Sequence, residues 1–252
     1  MTNSFKDHFS SQSKHYAKYR PDYPDKLFQY IASLCEQRTL AWDCGTGSGQ
    51  AAKGLCQYFK QVIATDASEA QIATTQAHSN LTFRVAPAEN SDLPNNAVDL
   101  ISVAQALHWF DIPRFATEAQ RVLRPKGILA AWTYNLISIT PAVDEIIQAL
   151  YDQTLNEYWP EERKMVEDNY AQITLPLIEI PHTPAFHMQA YWTLNELIGY
   201  FSTWSAVKKY THRHQKDPLQ DYFEALQNAW GPADTPLPVT WPIKLKAWQN
   251  DT

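Results

Sequence analysis

The chain has 252 residues, of which 44% are hydrophobic and 19% are charged. This composition excludes an intrinsically disordered chain, and the length suits one large α/β domain. The net charge of -6 disfavours broad binding to nucleic acid or to an anionic membrane, because both need clustered Lys and Arg.

Hydrophobic spacing divides the first half of the chain into alternating helices and strands. In chain order it predicts a helix at residues 25–37, strand 40–42, helix 51–59, strand 62–65, helix 69–77, strands 81–86 and 98–104, helix 114–123 and strand 128–133. Each strand ends at a polar or turn residue. Because apolar strands that alternate with helices are buried on both faces, we predict a doubly wound, mainly parallel α/β sheet.

The alternation stops after residue 133, where a helix at 142–158 and a Pro-rich stretch at 176–184 are predicted. We interpret residues 134–184 as an inserted cap segment. The pattern then resumes with strand 186–191, helices near 194–209 and 218–230, and a last strand at 239–247. With no internal repeat and no low-complexity linker, we expect a single domain over residues 1–252.

Three cysteines form neither an even disulfide framework nor a Cys-x-x-Cys metal motif; they are Cys35, Cys44 and Cys56. The polar N-terminus lacks the apolar core of a secretion signal, and no later run has the length to span a bilayer. His212 and His214 lack a Cys or carboxylate at metal-ligand spacing. We therefore expect a cytoplasmic protein without a catalytic metal, and we interpret the basic run 208–214 as a solvated face.

A Gly-rich turn stands between the first predicted strand and its helix, with Gly45, Gly47 and Gly49 placed where backbone can approach a ligand closely. A dinucleotide fingerprint would have Gly or Ala at position 50, which here is Gln50, so NAD or FAD is disfavoured. Asp43 ends the strand. Its carboxylate can accept hydrogen bonds from the cationic amine of a zwitterionic ligand such as S-adenosylmethionine (SAM).

Two further acids end the next strands. Asp66 stands where an acid can accept both hydroxyls of a ribose, a placement shared by NAD and SAM enzymes, and it can also cap the helix that follows. Glu89 follows the third strand, where an adenine would meet the edge of the sheet, although an ordinary exposed acid is the alternative. These positions indicate a nucleoside site.

Five segments together resemble the class I SAM-dependent methyltransferases of the methyltransferase type 11 group, and most of all their trans-aconitate methyltransferase-like branch. They are residues 19–24 (YRPDYP), 40–49 (LAWDCGTGSG), 88–89 with 93–94 (AE and LP), 105–110 (QALHWF) and 121–127 (RVLRPKG). The resemblance implies a Rossmann-like sheet of seven strands with an antiparallel last strand, SAM as cofactor and S-adenosylhomocysteine (SAH) as product.

The resemblance also implies a set of cofactor-binding residues, which are Tyr19, Arg20, Asp43, Gly45, Thr46, Gly47, Gly49, Asp66, Ala67, Ala88, Glu89, Gln105 and Ala106. Residues 1–24 would form a lid, with Arg20 suited to the SAM carboxylate. Many relatives carry Asp where Pro87 stands here. Adenine recognition would therefore depend on backbone groups or on Glu89.

Methyl transfer from a sulfonium is an in-line displacement that depends mostly on positioning and on exclusion of water. We expect a small-molecule acceptor methylated on a carboxylate or hydroxyl oxygen beneath the 134–184 cap. His108 is the candidate general base, with a structural role as its alternative. The candidate substrate-pocket residues are Tyr23, Trp109, Tyr200 and Trp204.

Three other functions are compatible with parts of this sequence. An NAD-dependent oxidoreductase is disfavoured by Gln50. A non-catalytic SAM-binding regulatory protein would keep the same cofactor residues. The third is a methyltransferase acting on RNA or protein: RNA would favour a basic face that this acidic chain lacks, and the Asn/Asp-Pro-Pro-Tyr/Phe motif of amino-group methylation is replaced by Gln105 to Trp109. The sequence leaves the acceptor and the oligomeric state open.

Overall fold

The structure is a computed structural model and describes residues 21–75 and 78–251. Its strands are β1 (Leu40–Cys44), β2 (Gln61–Asp66), β3 (Leu81–Val85), β4 (Val98–Ala104), β5 (Leu123–Tyr134), β6 (Ile178–Glu179), β7 (Phe186–Trp192) and β8 (Leu237–Gln249). Its α-helices are α1 (Asp25–Ser33), α2 (Gln50–Leu55), α3 (Glu69–Ile72), α4 (Ile112–Val122), α5 (Pro141–Ala149), α6 (Arg163–Glu167), α7 (Leu194–Ser202), α8 (Ser205–His214) and α9 (Gln220–Trp230).

The strands form one mixed sheet in the order β3-β2-β1-β4-β5-β8-β6, with β7 also paired to β8. The first five strands are parallel, and β8 runs antiparallel to β5. The long β8 uses its second half to pair with β5 and its first half to pair with β7. The doubly wound α/β sheet and its antiparallel last strand are therefore confirmed, and the two-residue β6 makes an eighth strand within the described residues.

Two apolar cores lie on opposite faces of this sheet. One contains Leu27 and Ile31 of α1 with Trp132 of β5, and the other contains Trp42 of β1 with Phe115 of α4. Successive strand residues point to opposite faces, so the central strands β1, β2, β4 and β5, together with β8, contribute to both cores. The chain order reverses between β1 and β4, where ligands bind in open α/β sheets, beyond the carboxyl ends of the strands.

Several helices are shorter than their hydrophobic spacing predicts. The predicted helix 69–77 ends at Ile72, where the hydroxyls of Thr74 and Thr75 donate to the carbonyls of Gln71 and Ile72. Such bonds compete with the helical ladder. The predicted helix 142–158 is α5 continued by a π-helical turn (Leu150–Thr154) and a 3-10 turn (Asn156–Tyr158).

Candidate active site

The Gly-rich turn between β1 and α2 has three glycines with positive φ, at 70° for Gly45, 53° for Gly47 and 81° for Gly49. A Cβ atom on Gly45 would lie 2.7 Å from the Cβ of Ala106, and one on Gly49 would lie 2.7 Å from the ring of Phe83. In the described part of the chain, apart from Gly47 and its two chain neighbours, no residue has an atom within 4 Å of the Cβ position of Gly47. The outer glycines therefore allow packing, whereas Gly47 leaves space for a ligand over the backbone.

Asp43 lies behind this turn and is fully buried. Its two carboxylate oxygens accept hydrogen bonds from the hydroxyls of Thr46 and Ser102, each at 2.6 Å, and the Ala52 N–H also donates to this carboxylate. Burial raises the pKa of Asp43 to about 6, against the effect of these hydrogen bonds. Asp43 and Thr46 thus contact each other and fix the turn; direct contact with a ligand amine stays a prediction.

Asp66 joins the end of β2 to the same turn. One carboxylate oxygen accepts from the N–H of Gly47 at 2.8 Å, and the other accepts from the N–H of Ser68 at 2.9 Å. Ionised carboxylate oxygens have further lone pairs, so Asp66 can also accept ribose hydroxyls. Ala67 follows it and is half-buried.

Ala88 and Glu89 follow β3. Ala88 is buried, and the Glu89 carboxylate accepts from the N–H of Asp111 at 2.9 Å, immediately before α4. Pro87 is exposed. The acid proposed to contact adenine therefore connects the β3 and β4 ends of the site.

Gln105 and Ala106 lie at the carboxyl end of β4. Gln105 has a φ of 54°, and its side-chain oxygen accepts from the Thr133 hydroxyl at 2.6 Å and from the Tyr134 N–H at 3.0 Å. Its side-chain N–H donates to the Tyr134 carbonyl at 3.1 Å. The amide of Gln105 therefore extends the pairing of β4 with β5, while Ala106 packs beneath Gly45.

His108 lies on a 3-10 turn (Leu107–Trp109) directly after β4. Its ring is buried, and Nδ1 is 3.0 Å from the hydroxyl of Tyr170. Burial, together with the positive charge of Arg163, lowers the pKa of His108 to about 3. The ring is therefore neutral near pH 7. The Trp109 ring lies beside it, with 4.8 Å between centroids.

The other candidate pocket residues separate into two groups. Tyr23 packs edge-on against Trp132 of β5, with 5.5 Å between ring centroids. Tyr200 is buried and accepts a hydrogen bond from the Trp241 Nε1–H at 3.3 Å. Trp204 contacts Tyr200 at 5.9 Å between centroids. Tyr200 and Trp204 thus belong to an aromatic cluster beside the cap, whereas Tyr23 packs on the sheet.

Gln50 has a structural role that its sequence position did not indicate. Its side-chain N–H donates to the Pro21 carbonyl at 2.8 Å and to the Asp22 carboxylate at 3.2 Å. The first residue of α2 therefore holds the segment that leads into α1. The predicted lid residues Tyr19 and Arg20 lie outside the described residues.

Sequence reasoning also missed an aromatic and cationic group in the cap. The Arg163 Nε–H donates to the Tyr151 hydroxyl at 2.9 Å, and the guanidinium carbon lies 5.2 Å from the centroid of the Trp159 ring. Trp159 and Arg163 are four positions apart and Tyr151 precedes Trp159 by eight, but extended backbone at Trp159 interrupts the chain between them, so no continuous helix carries all three. Only the irregular path of the cap brings them together.

Over residues 21–75 and 78–251, no group of three or more His, Cys, Asp or Glu side chains is arranged to hold a metal ion. The His214 ring instead bonds the Tyr158 hydroxyl at 2.6 Å. None of the helices in the described part of the chain has the length and apolar character needed to cross a membrane.

The strand order, the Gly-rich turn and the acid at the end of β2 define the class of SAM-binding, Rossmann-like methyltransferases. A family model described as a methyltransferase domain matches residues 42–131. A Dictyostelium discoideum protein described as a methyltransferase is 39% identical over 234 residues, which cover 91% of this chain and 89% of that protein. The chain therefore belongs to the methyltransferase type 11 family of SAM-dependent methyltransferases.

Two further likenesses agree with this assignment. The solved structure of an Anaeromyxobacter dehalogenans protein, described as a type II methyltransferase, has a TM-score of 0.87 and 42% identity, covering 92% of this chain and 98% of that one. A Saccharomyces cerevisiae protein described as a SAM-dependent methyltransferase is 32% identical over 132 residues, which cover 49% of this chain and 45% of that protein. The cofactor is SAM.

Proposed function

We propose that this enzyme methylates an oxygen atom of a small acceptor, as in the trans-aconitate methyltransferase-like branch. The preferred acceptor oxygen is that of a carboxylate, and a hydroxyl oxygen is the second choice. Bound SAM supplies an electrophilic methyl group on a positively charged sulfur. The residues of the chain bind and orient the two reactants and exclude water from between them.

The open position at Gly47 is the observation that supports the cofactor site, because it leaves the backbone accessible between two crowded glycines. The methionine part of SAM would lie along this turn, and Asp66 with Ala67 would hold the ribose. Ala88 and Glu89 would face the adenine, and Gln105 and Ala106 would border the sulfonium. Asp43 would act mainly by holding the turn that Thr46 and the glycines form.

The environment of His108 is the observation that favours an oxygen atom as the methyl acceptor. A histidine with a pKa of about 3 is a weak base, so it does not suit removal of a proton from an amine or a phenol near pH 7. A carboxylate arrives ionised and needs no base. We therefore propose that His108 acts in the site as a neutral group, held by the Tyr170 hydroxyl at 3.0 Å.

The cap provides a surface over this end of the sheet. The side-chain N–H of Asn135 donates to the Val166 carbonyl at 3.0 Å, which ties the end of β5 to α6, and Tyr170 reaches His108. We propose that residues 134–184 and the lid 1–24 enclose the acceptor within the single domain 1–252. The free cysteines fit a reducing compartment, and we propose the cytoplasm.

Calorimetric titration with SAH, with NAD in parallel, tests the cofactor site. We expect saturable binding of SAH alone, and Asp66→Ala should weaken it about tenfold or more because hydrogen bonds from the ribose are lost. Asp43→Ala should weaken it by loosening the turn. The exposed Asp234→Ala is the matched control and should bind SAH as the native protein does.

Unchanged SAH affinity in both Asp43→Ala and Asp66→Ala would contradict the cofactor placement. If the folded native protein binds SAH but transfers no methyl group to any of a broad panel of carboxylic acids and alcohols, small-molecule O-methylation is contradicted. The alternatives are then a non-catalytic SAM-binding protein and a methyltransferase acting on RNA or protein, which methyl-transfer assays on RNA and protein substrates separate.

A further inference from the structure

The cap contains a cation that contacts no carboxylate directly within the described residues. Arg163 begins α6, is half-buried, and forms no ion pair in the described part of the chain. Its Nε–H bonds the Tyr151 hydroxyl at 2.9 Å, so the terminal nitrogens remain as donors. Partly desolvated guanidinium groups are normally paired with an anion, and this one therefore has unused binding capacity.

Two aromatic rings and an acid hold the Arg163 side chain in place. The guanidinium carbon lies 5.6 Å from the centroid of the Tyr151 ring and 5.2 Å from that of Trp159, and these two rings stack at 4.7 Å. The Tyr151 hydroxyl also bonds the exposed Glu167 carboxylate. Tyr151 stands on the π-helical turn that continues α5, and such turns are frequent at functional sites.

A second unused donor lies on the same rings. The Nε1–H of Trp159 is buried and has no hydrogen-bond partner among residues 21–75 and 78–251. A buried N–H without a partner destabilises the protein, and a ligand oxygen would relieve that cost. Trp204 packs edge-on against Trp159 at 5.4 Å, so the donors border an apolar aromatic wall.

Arg163 also lies on the acceptor side of the sheet. Its helix α6 packs against the turn Leu107–Trp109 that follows β4, and its charge is close enough to lower the pKa of His108. The two unused donors therefore stand where the β4 turn, the cap and Trp204 approach one another.

We propose that Arg163, assisted by the Nε1–H of Trp159, binds a carboxylate of the methyl acceptor. This inference rests on the proposed function and adds the residue that selects the acceptor. A carboxylate suits the site because it is planar, forms charge-assisted hydrogen bonds to the terminal guanidinium nitrogens, and leaves the organic body of the acceptor to pack against the aromatic wall.

The test is a titration of SAH-saturated protein with benzoate, phenylacetate and 3-phenylpropionate, each compared with its uncharged amide. We expect at least one acid to bind about tenfold more tightly than its amide, the size of a charge-assisted hydrogen bond. Arg163→Gln should abolish this preference, and Arg163→Lys should keep part of it. SAH affinity should be unchanged in both variants.

Arg213→Gln is the matched control, because this guanidinium also lies over a tyrosine ring, 5.9 Å from the centroid of Tyr158, but is exposed on α8. It should keep the native preference for the acid. A native protein that prefers no acid to its amide, or an Arg163→Gln variant that keeps the preference, overturns the proposal, and tighter binding of phenyl phosphate overturns the choice of a carboxylate.

Failure of the proposed function gives a different result. If the native protein does not bind SAH, the cofactor site is wrong, and the comparison of acid with amide is then made on the protein alone. That comparison still tests carboxylate binding by Arg163, because the preference for the acid and its loss in Arg163→Gln do not depend on SAH.

Discussion

Individual polar residues around the Gly-rich turn hold the turn and the neighbouring strand ends together. Asp43 contacts Thr46 and Ser102, Asp66 accepts from the N–H of Gly47, and Gln105 pairs with the end of β5. Side chains fixed in this way need no rearrangement when a ligand binds. Such preorganisation is a large part of how enzymes stabilise a transition state.

Asp43→Asn should change how stability depends on pH. The pKa of Asp43 is about 6 in the fold and 3.8 as its ordinary value, so the carboxyl group stabilises the fold below 3.8 and loses this contribution as pH rises through about 6. The hydroxyls of Thr46 and Ser102 can donate or accept, so the amide should be accommodated. The quantity to compare is the unfolding free energy of the variant minus that of the native protein. This difference should be about 2 kcal/mol larger at about pH 8 than at about pH 4.

Denaturant unfolding at the two pH values measures this difference, and Asp234→Asn on an exposed site controls for the general loss of an acid. A difference between variant and native protein that is the same at both pH values would show that Asp43 does not titrate in this window.

At the level of elements, the three glycines of the turn between β1 and α2 differ in their surroundings. Gly45 and Gly49 have positive φ and neighbours that leave no room for a Cβ, whereas Gly47 has positive φ and, among residues 21–75 and 78–251, open space around its Cβ position. The outer two serve the packing of the turn on β3 and β4. We expect the middle one to allow the close approach of the cofactor.

Gly47→Ala and Gly49→Ala should therefore differ in what they damage. Each places Ala in a left-handed conformation, which costs about 1 kcal/mol. Gly49→Ala adds a clash at 2.7 Å with the Phe83 ring and should lower the unfolding free energy further. Gly47→Ala should keep most of its stability but bind SAH about tenfold or more weakly, because the new methyl group occupies ligand space.

Urea unfolding and SAH calorimetry on the two variants separate these effects. If Gly47→Ala binds SAH as the native protein does, then the space above Gly47 is not part of the cofactor site.

Hydrophobic spacing predicted the existence and order of most helices and strands, but not where several helices stop. The spacing continues from 194 to 209, yet the helix breaks between Ser202 and Ser205, where the Thr203 hydroxyl donates to the Tyr200 carbonyl at 2.6 Å and Trp204 is extended. A side chain that competes for a backbone carbonyl leaves the apolar periodicity unchanged. The periodicity alone therefore does not reveal the break.

On the scale of the whole molecule, the two ends of the parallel sheet have different tasks. The candidate site lies beyond the carboxyl ends of the strands. At the amino ends, the buried Asp99 carboxylate accepts from the N–H groups of Thr39 and Leu40 at 2.7 and 2.8 Å and pairs with Arg124 at 2.9 Å. This arrangement joins β1, β4 and β5 at the end of the sheet opposite the candidate site.

Asp99→Ala should destabilise the protein without changing the site. It leaves two partly buried N–H groups without their acceptor and removes the carboxylate paired with Arg124, although Arg124 keeps its bonds to Gln37 and Ala97. The free energy of unfolding should fall by about 2 kcal/mol or more. SAH affinity of the folded protein should stay within about twofold of the native value, because distant sites contribute independently.

Denaturant unfolding and SAH calorimetry provide the two measurements. The control is Glu36→Ala, which removes an exposed ion pair to Lys126 near the same end of the sheet and should leave stability unchanged. Similar losses of unfolding free energy in Asp99→Ala and Glu36→Ala would contradict the conclusion that the buried position of Asp99 makes it important for stability.

Local sequence patterns were sufficient for the alternation of strands and helices, the Gly-rich turn and the acids at the ends of β1 and β2. They were sufficient because burial periodicity and positive-φ glycines leave a signal within a few neighbouring residues. Long-range packing was needed for the partners of these residues. Ser102 reaches Asp43 and Thr133 reaches Gln105 only because β4 lies between β1 and β5, and Arg163 meets Tyr151 and Trp159 only through the irregular turns of the cap. Contacts between distant segments depend on strand order and on the shape of the packed cap, which no local pattern encodes.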